Sequence, residues 1–339
     1  MTEVLAEEEA APERIPIKLP FWRRMLHGMA LVLGSFGVAL YALRMIFRDW
    51  IVGTEVLFWV PFWAWIPVLM VPCLLVYGWG KRLLLLGLVG VLSIPSLLLE
   101  QPLLISPKRQ NVSVPPEAHS LVVWNVMMYN RGKRAVLEGI EQLDPDLFLF
   151  VEGTSRGAAP DFLTRGLSSE YVWSSTRQMA LGSKWTIRKS EELKTHTSLR
   201  VFRSEVEYAG QPLTLMLVDM PSPPRWDTRA IFLELEELLR AEESANVIVV
   251  GDLNTPRGSW WLRRVFRDWR DAYLAADQRP GGWLASFPDT FPMVQIDHAF
   301  VRGDIALHRA ELLAGHASDH YRQVLEFSFV STEKGSPSP

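Results

Sequence analysis

The chain has 339 residues, 48% of them hydrophobic, with 35 basic side chains against 38 acidic ones and a single cysteine, Cys73. One cysteine excludes an intramolecular disulfide, and its place inside an apolar run leaves no thiolate metal site in the polar remainder. From residue 106 onward 27 basic residues face 30 acidic ones, a balance that argues against broad electrostatic capture of duplex nucleic acid.

Residues 1–24 form a charged lead, Ala/Glu/Pro-rich at its start, with Glu7, Glu8, Glu9 and Glu13. It reads as a disordered tail, and its acidity and length do not fit a cleaved signal peptide. Residues 25–100 hold three apolar stretches, 25–47, 56–79 and 83–99; the second runs 24 residues without a charge and the third 17. A helix needs roughly 20 residues to cross a bilayer, so three transmembrane helices are expected. Pro61, Pro67 and Pro72 are tolerated in such spans, and Trp22, Trp50, Trp59 and Trp79 sit near span ends as interfacial aromatics do. Lys18, Arg23, Arg24, Lys81 and Arg82 share one side, against Arg44, Arg48, Lys108 and Arg109 on the other. That bias favours a cytoplasmic N-terminus in an inner or plasma membrane. With three spans, everything after residue 100 is then extracytoplasmic. A Pro-containing linker, 101–118, leads to a globular domain over 119–331, and 332–339 read as a disordered Ser/Pro tail.

Within 119–331 strands and helices alternate. Strands are expected at 120–124, 147–151, 199–206, 213–218, 247–250, 296–301 and 324–330; helices at 133–143, from Asp227 to Arg240, and after Arg257. The pattern is that of layered α/β architecture.

Several strands end in polar residues: Asn125, Glu152, Asp252 with Asn254, and Asp297, while Asp319-His320 precedes another. Taken alone, Gly251-Asp-Leu-Asn254 reads equally well as a turn. Taken together, carboxylates with an amide oxygen suit a hard divalent cation, and a histidine beside a carboxylate suits proton movement or charge stabilisation. The combination describes metal-assisted attack of water on a phosphate ester. Arg257 opens a stretch whose Leu262, Val265, Phe266 and Trp269 make one helical face and Arg263, Arg267 and Arg270 another. Its first reading is an ordinary amphipathic helix, its second an Arg-rich lip for phosphates. Trp173 and Trp283 read equally as core or as a substrate platform.

The ordered set Trp124-Asn125, Asp144-Pro-Asp146 to Val151-Glu152, Gly251-Asp-Leu-Asn254, Ile296-Asp-His298 and Ser318-Asp-His320 resembles the endonuclease/exonuclease/phosphatase superfamily, over essentially all of 119–330. The resemblance implies a four-layer α/β sandwich with its site at one edge of two packed sheets, here preceded by three transmembrane helices. It also implies a Mg²⁺ (or Mn²⁺) cofactor held by Glu152, with Asn125 and Asp319 near the metal. Asp252 would orient or deprotonate the water, Asn254 hold a phosphate oxygen, and His320 contact the scissile phosphate, oriented by Asp297. Asn130 matches a polar position near substrate, and Arg257 is a further substrate-binding candidate. Two departures stand out: Asp219 occupies a position where many members have histidine, and Tyr321-Arg322 follows Ser-Asp-His instead of Arg-Pro. The expected function is a membrane-anchored phosphoesterase acting on a lipid headgroup, nucleic acid or soluble phosphate ester at the bilayer. The alternative is a weak or inactive domain of the same fold used for binding or signalling.

Overall fold

A computed structural model describes residues 20–51, 53–75, 79–99, 105–106, 113–153, 161–222, 227–279 and 282–330. Most of the 1–24 lead, most of the 101–118 linker and all of the 332–339 tail lie outside the described residues.

Two six-stranded sheets face each other. The first runs, edge to edge, Arg270–Asp271, Asp297–Arg302, Val247–Asp252, Gln211–Asp219, Arg200–Tyr208, Thr186–Glu192. The second runs Ile305–Leu313, Arg322–Phe329, His119–Asn125, Leu147–Val151, Ala180–Ser183, Val172–Ser175. Each sheet is antiparallel except for one central parallel pair: Gln211–Asp219 with Val247–Asp252, and His119–Asn125 with Leu147–Val151. A parallel pair cannot be closed by a hairpin and needs a crossover. Helices Thr228–Ala241 and Lys133–Glu141 supply the crossovers and cover the outer faces, making four layers.

The central strands read as unbroken apolar runs because both their faces are buried. Ile248 and Val250 point between the sheets with Leu121, Val123, Leu147 and Leu149, while Val247 and Val249 point outward against Ile231, Phe232 and Leu235. Val122, Trp124, Phe148 and Phe150 pack against the other helix layer through Val136 and Ile140. Each such side chain, fully buried, contributes about 1.5–3 kcal/mol relative to exposure. Trp173 belongs to this layer, edge-on to Phe148 at 5.2 Å, and is core. The side chain of Trp283 lies outside the described residues. Asp227 caps Thr228–Ala241, its Oδ1 accepting from Arg229 N at 3.1 Å and Ala230 N at 3.3 Å.

The apolar N-terminal part departs from expectation. Phe21–Phe47 is, among the described residues, the one helix long and apolar enough to cross a membrane by length and composition. The expected second span divides into Thr54–Trp59 and Phe62–Leu75, while the third corresponds to Trp79–Leu99. The break falls at Val60-Pro61, where Val60 is extended at φ −71 and ψ 117. Proline drives its predecessor out of the helical region, so an apolar run without a charge need not be one helix.

The segment between Phe47 and Pro61 folds back onto the globular domain. Asp49 is buried: its Oδ1 accepts from Trp260 N at 2.7 Å, its Oδ2 accepts from Ser259 Oγ, and its backbone carbonyl accepts from Trp261 Nε1 at 3.1 Å. Arg48 Nη1 donates to Gly258 O at 2.8 Å. Glu55, also buried, hydrogen-bonds Thr228 at the start of the other helix. Asp49 thus meets an orphan N–H at one helix N-terminus of the domain, and Glu55 reaches the Thr228 side chain at the start of another.

Candidate active site

The ends of the two parallel pairs meet at one edge of the sandwich. Asn125 pairs with Val151, immediately before Glu152, in one sheet. In the other, Asp219, Asp252 and Asp297 lie side by side in register. Gly251 makes this possible: at φ 135 it takes a conformation that favours glycine, and a Cβ there would lie 2.0 Å from Val218 O. Glu152 and Asn254 hold left-handed backbone at φ 53 and 43, a conformation non-glycine residues keep where surrounding contacts over-determine it.

Asn125, Glu152, Asp252, Asn254, Asp319 and His320 line one cavity of about 420 Å³. Asn125 Nδ2 bridges the two sheets, donating to Glu152 Oε1 at 3.3 Å and Asp252 Oδ2 at 3.1 Å, while its Oδ1 accepts from Met127 N at 3.0 Å. Asp252 Oδ1 accepts from Asn254 N at 2.9 Å. Asn254 Nδ2 donates to Met220 O at 2.6 Å and its Oδ1 accepts from Ser222 Oγ at 3.2 Å.

His320 Nδ1 is 2.9 Å from Asp297 Oδ2, and its Nε2 is 3.8 Å from Asp252 Oδ2 and 4.0 Å from Asp319 Oδ1. Its loop is fixed by Ser318 Oγ, which donates to Asn125 O at 2.6 Å, and by Trp124 Nε1, which donates to His320 O at 3.0 Å. Burial opposes charge on His320, but the carboxylates of Asp297, Asp252 and Asp319 outweigh it and raise its pKa to about 10, so the ring is an imidazolium at neutral pH. Burial foremost raises the Asp252 carboxyl above the usual carboxylate range, with the neighbouring His320 imidazolium opposing and Asp297 and Asp219 adding to the rise. His298 is different: fully buried, with Nε2 donating to Thr255 O at 2.8 Å, it is pushed down to about 4 by desolvation and stays neutral.

Asp252, Asp297 and His320 form a buried group tight enough to hold a metal ion. The bond between Asp297 and Nδ1 marks the pair as an oriented imidazole, and the carboxylate oxygens lining the cavity are those of Glu152, Asp252 and Asp319, with Asn125 beside them through its amide nitrogen. That set fits a hard divalent cation. Among the described residues no lysine or arginine lines the cavity, so three carboxylates stand against one imidazolium.

Two expected substrate contacts lie elsewhere. Arg257 is buried, its guanidinium donating to Asp271 and, at 2.8 Å, to Gln295 Oε1; an ion pair with a residue fourteen positions on has turned it inward. Asn130 is exposed at the end of the Met127–Tyr129 turn and does not line the cavity. The Arg-rich stretch is helical over Trp260–Val265, with Leu262, Val265 and Phe266 buried and Arg263, Arg264 and Arg267 exposed around a separate recess. Asp219, in the family's histidine position, is buried and ion-paired with Arg200; burial raises its carboxyl to about 6 against the pull of Arg200.

Sequence reasoning missed four lining residues, Ser222, Met127, Phe287 and Trp59. The Phe287 ring lies 5.0 Å from that of His320.

The chain matches the Endonuclease/Exonuclease/phosphatase family over residues 122–320. Among solved structures it is similar to a family protein from Bacteroides thetaiotaomicron, with TM-score 0.51, 13% identity, and coverage of 65% of this chain and 100% of that one. Truncated Caenorhabditis elegans TDP2 gives TM-score 0.50 and 17% identity, covering 64% and 100%. A family protein from Leptotrichia buccalis gives TM-score 0.50 and 14% identity, covering 62% and 100%. At these identities the likeness is one of fold. No curated protein matches the chain.

Proposed function

Because the chain belongs to the endonuclease/exonuclease/phosphatase family and is a hydrolase of phosphoester bonds, we propose that it is a membrane-anchored phosphoesterase dependent on a divalent cation, magnesium or manganese. The observation that carries the cation is the charge of the cavity: among the described residues it offers carboxylates and one imidazolium to a substrate that is itself an anion. A cation held by Glu152, with Asn125 and Asp319 beside it, would neutralise the phosphate and polarise a phosphoryl oxygen.

The chain's own residues do the rest. Asp252 takes a proton from the attacking water as its oxygen bonds to phosphorus; the ester P–O bond breaks, and the departing alkoxide takes up a proton from solvent. His320 donates from Nε2 to a phosphoryl oxygen, placing positive charge where negative charge develops. Asp297 holds Nδ1 and with it the direction of Nε2. Asn254, with one amide hydrogen on Met220 O, keeps the second for a phosphoryl oxygen. The ion pair of Asp219 with Arg200 leaves this set complete, which weighs against an inactive binding domain. The apolar helix Phe21–Phe47 supports the anchor.

The test is hydrolysis of 4-nitrophenyl phosphate and bis(4-nitrophenyl) phosphate by the full chain in detergent, with Mg²⁺, Mn²⁺ or EDTA. Turnover of one ester is expected with metal alone. Glu152→Gln and His320→Ala should each lower it by about 10²–10⁴-fold. Turnover that survives EDTA, or either substitution, overturns the proposal.

A further inference from the structure

The catalytic cavity is not built by the globular domain alone. Trp59, the last residue of Thr54–Trp59, forms part of its wall. Its position is set by the segment it belongs to, which Asp49 and Glu55 fasten to two helix N-termini of the domain. Phe287 also lines the cavity, its ring against that of His320. Four residues further on, Phe291 is 64% exposed and meets Trp63 edge-on at 6.3 Å. Trp63 stands in the first turn of Phe62–Leu75, a helix without a charged residue. Two aromatic groups thus lie along the same two segments: Phe287 and Trp59 line the cavity of the catalytic imidazole, and Phe291 and Trp63, each four residues further along the chain, meet at the start of an apolar helix. Trp50 and Ile51, in the same segment, are 51% and 41% exposed, as aromatic and aliphatic side chains are at a membrane surface.

A small soluble phosphoester gains nothing from such an arrangement. A nucleic acid strand would bring further phosphates into a cavity that, among the described residues, has no lysine or arginine to meet them. On the phosphoesterase reading given above, we infer that the substrate is an amphiphile. Its phosphoester group occupies the cavity between Glu152 and His320, and its alkyl chain lies along Phe287, Trp59, Phe291 and Trp63 toward the bilayer. Hydrolysis is the same step: water's oxygen joins phosphorus, the ester oxygen leaves with its carbon group, and one alcohol and one phosphate result. Apolar contact with the chain lowers KM for long-chain esters and leaves the chemistry at phosphorus unaltered.

Matched ester pairs differing only in chain length test this with the full chain in detergent micelles and Mg²⁺ or Mn²⁺. Methyl and hexadecyl 4-nitrophenyl phosphate serve for diester cleavage, butyl and hexadecyl phosphate for monoester cleavage. The long-chain member of the hydrolysed pair should show kcat/KM higher by about tenfold or more. Phe291→Ser and Trp63→Ser should bring the ratio toward one by raising KM for the long ester. Phe291 is an exposed loop residue, so its substitution reads the contact where the helix variant fails to fold. A ratio near one in the unsubstituted protein, or a ratio indifferent to Phe291→Ser, overturns the amphiphile and leaves the phosphoesterase standing. No turnover of either pair with either metal overturns both.

Discussion

With Nδ1 of His320 bonded to Asp297, only Nε2 is free for substrate, and removing that carboxylate changes two things at once. Asp297→Asn should lower kcat by about 10²-fold or more, because the imidazole loses its orientation. The pH profile should move as well. Asp297 is the largest of the influences that raise His320 to about 10, so without it the imidazolium gives up its proton at lower pH. The basic limb of the activity profile then shifts downward, and a profile that falls in height without shifting would mean that His320 acts in its neutral form. Much of this residue set was legible in the chain, since Asn125, Glu152, Asp252, Asn254, Asp319 and His320 each stand beside an apolar run that had to be a strand. Arg257 was misread because its burial depends on Asp271 and Gln295, partners that spacing does not reveal. Trp59 was read as a span-end aromatic for the same reason: what it faces is decided more than sixty residues away.

At the scale of elements, the glycine before Asp252 has no substitute. Gly251→Ala would set a methyl group against Val218 O at φ 135, and separating the two parallel strands there should cost about 3 kcal/mol or more. A lower thermal midpoint for the detergent-solubilised chain is the expected readout, and an unaltered midpoint would mean that the strand ends are slack. Strands buried on both faces were readable from their apolar runs. Thr186–Glu192 was not, because an edge strand with most of its side chains exposed carries no hydrophobic alternation. Ile305–Leu313, with His308, Arg309 and Glu311 among its residues, hides for a related reason: its polar side chains find partners across the sheet in Ser328 and Glu326. The undivided second span failed on the opposite ground, since continuous apolarity masked the backbone effect of Pro61 on Val60.

Across the whole molecule, the segment between Phe47 and Pro61 ties the apolar helices to the sandwich. Asp49→Ala would leave Trp260 N and Ser259 Oγ without their acceptor, a loss of about 1–3 kcal/mol that thermal melting should register, with Asp49→Asn restoring part of it. Identical melting of all three proteins would mean that the segment is undocked in solution. The docking also imposes an order of assembly. Residues 48–60 leave the ribosome long before Ser259–Trp261, so Asp49 and Glu55 wait without their partners until the sandwich that receives them has been synthesised and folded. An excised sandwich beginning after the apolar helices would keep the caps that Asp227 and Ser259 give its own helices, but would leave Trp260 N without Asp49 and its cavity open on the Trp59 side. The cavity is therefore lined from two separate parts of the chain, and its first piece, Trp59, is made before the apolar helices that separate it from the rest.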